Sequence, residues 1–82
     1  MNDELLTVKE VSQIMKSNVN YVNSLINAGL LDYLKLGSRK VRSSTLYAFF
    51  EKWEGWDLSD PENPRQLYEK KNQLDDKMIG GR

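Results

Sequence analysis

The chain has 82 residues with neither cysteine nor histidine, room for one small domain but not for two independently stable ones. Disulfides and thiolate zinc sites are excluded as staples, so one packed core must carry the fold, and cysteine-free usage fits a reducing compartment. Twelve Lys and Arg balance twelve Asp and Glu, so there is no global basic footprint and the distribution of charge decides what surfaces the chain offers.

Met1-Asn2-Asp3-Glu4 opens acidic, unlike a signal peptide, and no apolar run approaches the roughly 20 residues that span a bilayer. A soluble, cytoplasmic protein with no membrane contact is expected. Thr7-Val8-Lys9-Glu10 has the form of a capping box, which predicts a first helix at about Val8 to Lys16. Val8, Val11, Ile14 and Met15 form its expected buried stripe, with Lys9, Ser12, Gln13 and Lys16 outward. Asn18 is a natural N-cap for a second helix, and Gly29 a natural residue just past its end. Val22, Leu25 and Ile26 make its buried face, and the short link between the two helices predicts a helix-turn-helix unit. Leu30 and Leu31 lead from it into the core.

Leu34-Lys35-Leu36, the turn Gly37-Ser38, and Lys40-Val41-Arg42 predict a hairpin with Leu34, Leu36 and Val41 inward. Two-residue and four-residue loops both keep that parity. Ser43 or Ser44 caps a third helix, in which Leu46, Phe49, Phe50 and Trp53 repeat the helical stripe before Gly55. The expected fold is thus mainly α with a small β-hairpin, ordered helix, helix, hairpin, helix over residues 1–55. Residues 56–82 form a charged extension. Asp57 to Pro64 reads as a linker, after which Asn63 as N-cap, Pro64 and Gln66 start a fourth helix with Leu67, Leu74 and Met78 on a face that Lys71 interrupts. Ile79-Gly80-Gly81-Arg82 reads as a frayed end. Because a compact domain is complete by Gly55, the extension is expected to mediate association or partner docking.

The second helix carries the most informative surface. From Ser17 to Leu31 there is no charge, yet Asn18, Asn20, Asn23 and Asn27 are present. Asn is a mediocre helix former, so something other than helix stability favours it there. Asn20, Asn23 and Asn27, with Ser24, form one stripe opposite the buried face; Asn pairs bidentately with the N6 and N7 edge of adenine, and Ser serves several bases. The plain alternative is a solvated polar face. Val19 and Tyr21 lie at the start of the same helix, Val19 within reach of a thymine methyl and the Tyr21 hydroxyl of a phosphate; packing of the Tyr21 ring against the first helix is the alternative.

From Tyr33 to Phe50 every charged residue is positive: Lys35, Arg39, Lys40 and Arg42. With Ser38 they sit on and around the hairpin tip, where cationic side chains extend to phosphates or into a minor groove. Lys on an exposed strand edge also blocks edge-to-edge aggregation, which is the alternative. Phe49, Phe50 and Trp53 read as core, while Trp56 and Leu58 either extend that core or form a docking patch. There is no glycine-rich phosphate loop and no paired metal-ligand motif, and Asp57/Asp60 and Asp75-Asp76 lie in the extension. Neither catalysis, a metal nor a cofactor is expected.

Leu6-Thr7-Val8-Lys9-Glu10-Val11, then Val22 with Leu25-Ile26 and Gly29, then Lys35-Leu36-Gly37 with Arg39 and Val41, and finally Leu46 and Phe49, resemble in order and spacing the excisionase-type winged helix-turn-helix family, related to the DNA-binding domain of MerR-like regulators. The resemblance runs from about Leu6 to Trp53. It implies double-stranded DNA as partner, with the second helix in the major groove and the hairpin wing on the adjacent minor groove or backbone. Such proteins often come from phages and mobile elements; they bend DNA so that an integrase excises, or they repress or activate transcription. Asn23, Ser24 and Asn27 depart from the family by replacing the basic residues usual in that helix. Two functions follow as expectations: sequence-specific DNA binding, with a recombinase and further copies of the chain as partners through 56–82, or a protein-interaction module that docks a recombinase, packaging or replication protein.

Overall fold

A computed structural model describes residues 3–68. The chain runs β1 (Leu5–Thr7), α1 (Val8–Ile14), α2 (Val19–Asn27), β2 (Leu34–Leu36), β3 (Ser38–Arg42), α3 (Ser43–Trp53), β4 (Trp56–Asp57) and β5 (Arg65–Gln66). Among the described residues, three helices and a small antiparallel sheet of order β1-β3-β2 make an α+β fold, with β4 and β5 paired separately. The strand β1 was not expected. It pairs with β3 so that Leu6 lies opposite Val41, and both are buried.

The capping box at Thr7 is formed: Thr7 Oγ1 accepts from the Glu10 amide (3.0 Å) and Glu10 Oε1 accepts from the Thr7 amide (2.8 Å). The first helix ends at Ile14 rather than Lys16, because Lys16 takes a left-handed φ of 57°. The Lys16 and Ser17 amides then donate back to Gln13 and Ser12 carbonyls, which closes the helix end. Ile14 is 40% exposed and Ser12 is buried, the reverse of expectation. At about 100° per residue, Val8, Val11, Ser12 and Met15 cluster on one side of a two-turn helix while Ile14 lies about 120° from Val8. The buried Ser12 hydroxyl is satisfied by donating to the Lys9 carbonyl.

Asn18 caps α2 by accepting from the Tyr21 amide (2.8 Å), and Gly29, with φ of 82°, ends it. Gly29 and Leu30 amides donate to Ile26 and Leu25 carbonyls, a closing arrangement that needs a left-handed residue at Gly29. Val22, Leu25 and Ile26 are buried as expected and form the core with Leu6, Val11, Leu31, Val41, Leu46 and Phe49.

The hairpin differs from its expected register by one residue. Leu36 pairs with Ser38, Lys35 with Arg39 and Leu34 with Lys40, leaving Gly37 (φ 79°) alone at the turn. A one-residue shift exchanges the two faces of a strand. Leu34 and Leu36 therefore share the outer face with Ser38, Lys40 and Arg42 and are 42% and 54% exposed, and Val41 alone of the three expected residues points inward. The reason lies in β1: the Leu6–Val41 pair sets which face of β3 meets the helices.

Neither Ser43 nor Ser44 caps α3 with its own side chain; the cap position is Arg42, which makes no such bond. The carboxylate of Asp3 caps instead, accepting from the Ser44 amide (2.9 Å), the Ser44 hydroxyl (2.9 Å) and the Ser43 hydroxyl (3.1 Å). In α3, Leu46 and Phe49 are buried, whereas Phe50 and Trp53 are half-buried. Beyond Gly55 the chain folds back on the helices: Leu58 packs against the core, and Asp57 and Arg65 pair across β4 and β5 with an ion pair at 3.6 Å. Where a helix was expected from Asn63, the Asn63 amide closes a turn onto the Asp60 carbonyl and Arg65–Gln66 is a strand. Leu67 is exposed; Lys71, Leu74, Met78 and 79–82 lie outside the described residues. No helix among the described residues is long and apolar enough to cross a membrane.

Candidate functional site

The outward stripe of α2 and the hairpin meet. Arg39, on the same face of β3 as the buried Val41, reaches α2: its Nη1 donates to Asn23 Oδ1 (2.8 Å) and its Nη2 to Asn27 Oδ1 (2.9 Å). The guanidinium lies over the ring of Tyr33, 5.0 Å from its centroid, a cation–π contact on its other flank. Asn23 and Arg39 are half-buried, and Asn27 is exposed. A polar notch forms between α2 and the hairpin turn, lined by Asn23, Asn27, Lys35, Ser38 and Arg39.

The four cations do not act as one cluster. Lys35 pairs with Arg39 on the α2 side of the hairpin, whereas Lys40 and Arg42 lie on the outer face. There Lys40 Nζ donates to Ser38 Oγ (2.7 Å), and Arg42 Nε faces Asp3 Oδ2 at 3.4 Å. The Ser44 backbone amide, then the Ser44 hydroxyl, with smaller help from Ser43 and Arg42, holds the Asp3 carboxyl below its ordinary range. The charge of Arg42 is thus partly matched, and Lys35, Arg39 and Lys40 carry the positive field of the hairpin.

The remaining predicted residues separate. Val19 and Asn20 are exposed at the first turn of α2, and Ser24 donates its hydroxyl to the Asn20 carbonyl (3.0 Å). The Tyr21 hydroxyl donates to the Leu58 carbonyl, while its half-buried ring packs against the core. Burial, with the nearby Asp57 charge, pushes the Tyr21 hydroxyl pKa up. Tyr21 thus fastens the β4–β5 segment to α2. Tyr33 is not legible as a site residue in the sequence, since an aromatic residue two positions after a core leucine carries no signal that a cation stacks on it.

A second concavity, apolar, is lined by Tyr21, Phe49, Phe50, Trp53, Trp56 and Leu58. Trp53 and Trp56 meet edge to face at 5.1 Å, and Trp53 Nε1 is buried with no hydrogen-bond partner among the described residues. Among the described residues no group of three or more acidic, His or Cys side chains is placed to hold a metal ion. No protein-family model, curated protein or solved structure matches the chain.

Proposed function

We propose that the protein is a winged helix-turn-helix that binds double-stranded DNA in a sequence-specific manner. In this reading α2 enters the major groove and the β2–β3 hairpin is the wing, on the neighbouring backbone or minor groove. The observation that carries it is the Arg39 bridge to Asn23 and Asn27, which joins the uncharged stripe of α2 and the basic hairpin into one polar surface. Asn and Ser suit base edges, Lys35 flanks them with charge suited to phosphates, and Lys40 on the outer face of the hairpin offers a second phosphate contact from the wing. Its role is that of an excisionase-like architectural factor or a small transcription regulator, of the kind found in phages and mobile elements, with an integrase and further copies of the chain as partners on DNA. Catalysis has no part in it.

Fluorescence-anisotropy titration of a labelled duplex at two salt concentrations tests the proposal. Affinity should fall steeply with salt, and Lys40→Ala should weaken binding on all duplexes alike and reduce the magnitude of the salt slope by about 1, as for one lost phosphate contact. Absence of binding to any duplex at 50 mM salt, a condition where non-specific contacts are strong, refutes it. The second reading, a protein-interaction module, draws on the exposed Leu34 and Leu36 of the outer sheet face. Pull-down of a recombinase that survives Lys35→Glu and Lys40→Glu but not Leu36→Asp would favour it.

A further inference from the structure

Arg39 settles which way two amides point. A guanidinium has five N–H donors and no acceptor, so only the Oδ1 end of Asn23 and of Asn27 can face it. Each amide is left with its Nδ2 donors, which have no partner among the described residues, and three of the guanidinium's N–H groups stay uncommitted. Lys35, at the same notch, is also a pure donor.

Adenine presents an acceptor, N7, beside a donor, N6–H2, and the bidentate Asn–adenine pair needs Oδ1 to accept from N6. In Asn23 and Asn27 that oxygen already accepts from Arg39 on one of its two lone pairs, and a second donor must approach it beside the positive guanidinium, which disfavours N6–H2 there. Guanine presents two adjacent acceptors, N7 and O6, which is the edge that clustered donors match. We infer that Asn23, Asn27 and Arg39 form a donor-dominated reader selective for guanine, so that the target contains a G·C pair where the α2 stripe meets the major groove. The inference rests on the DNA-binding reading above. Arg39 is a positioning residue for both amides and a reader through its remaining N–H groups; Tyr33 holds its plane.

The test selects bound duplexes from a pool of double-stranded oligonucleotides with a randomised centre, using the full chain. The wild type should enrich a motif with guanine at the contacted position. Arg39→Met, which keeps an unbranched stem and removes every side-chain donor, should lose that guanine and gain adenine, as each Oδ1 is released from the guanidinium and its charge and turns to accept from the base. On the selected wild-type site, 7-deazaguanine, which deletes N7 while leaving base pairing intact, should lower affinity, and guanine-to-adenine replacement should lower it roughly 5- to 150-fold. Circular dichroism on Arg39→Met checks that the variant is folded, and the 7-deazaguanine measurement stands on the wild type alone. A wild-type motif with adenine at that position, or guanine preference that persists in Arg39→Met, overturns the inference and leaves sequence-specific DNA binding standing, whereas duplex binding without sequence enrichment overturns the inference together with the sequence specificity of the proposed function. Failure of the wild type to bind any duplex overturns both.

Discussion

The hairpin register can be tested by stability alone, through Val41→Ala compared with Leu36→Thr. Val41 is fully buried opposite Leu6, whereas Leu36 is 54% exposed on the outer face. Deleting two buried methyl groups loses about 1.6 kcal/mol of transfer free energy at about 0.8 kcal/mol each. A residual void of roughly 40 Å³ adds about 1 kcal/mol, so Val41→Ala should cost about 2.5 kcal/mol. Leu36→Thr removes apolar area that is already half in water and keeps a β-branched residue in the strand, so it should cost about 1 kcal/mol or less. A domain of this size has about 4 to 12 kcal/mol in total, and each kcal/mol moves the melting temperature by about 4 to 8 °C. Val41→Ala should therefore melt about 10 to 20 °C lower, and Leu36→Thr within about 8 °C of the parent, by circular dichroism with urea titration for the free energies. Equal losses in the two variants, or a larger one in Leu36→Thr, would refute the register. Arg39 would then sit on the outer face and its bridge to Asn23 and Asn27 could not form.

Acid should weaken the fold through Asp3 and Asp57. Both carboxyls are held below the ordinary value of 3.8, Asp3 chiefly by the Ser44 amide and Asp57 chiefly by the Ser59 hydroxyl. Their contribution is present above that value and lost as pH falls through the lowered folded values, so Asp3→Asn should flatten the acid limb of a melting-temperature profile. Tyr21→Phe removes the bond to the Leu58 carbonyl and should cost about 1 kcal/mol, with faster amide exchange in the β4–β5 segment as the specific sign. Trp53→Ala should cost about 2 to 3 kcal/mol in urea titration, below the range for a fully buried ring because Trp53 is only half-buried.

Local rules were enough wherever a structural decision is made within a few residues. The Thr7–Glu10 capping box, the Asn18 cap, the end of α2 at Gly29 and the buried triplet Val22, Leu25 and Ile26 are each set by neighbours one helical turn away or less. A seven-residue helix has too few turns for periodicity to choose between Ser12 and Ile14, and the pattern alone turns the wrong edge of α1 inward. The three residues of β1 carry no alternation long enough to detect, and they become a strand only because β3 lies beside them.

What the sequence by itself determined is the set of helices α1 to α3, the approximate place of the hairpin, and the residue types brought to the site: uncharged amides on α2 and cations on the hairpin. Tertiary structure decided how they combine. Pairing of Leu6 with Val41 chose the inward face of β3, which sent Arg39 toward Asn23 and Asn27 and Lys40 and Arg42 to the other side. Asp3 became the cap of α3 from 41 residues away, and Tyr21 was fastened to Leu58 across 37. The physical reason is the period of two in a strand: a shift of one residue leaves the local pattern almost unchanged and exchanges every side chain between faces, and only contacts distant in sequence can choose between the two.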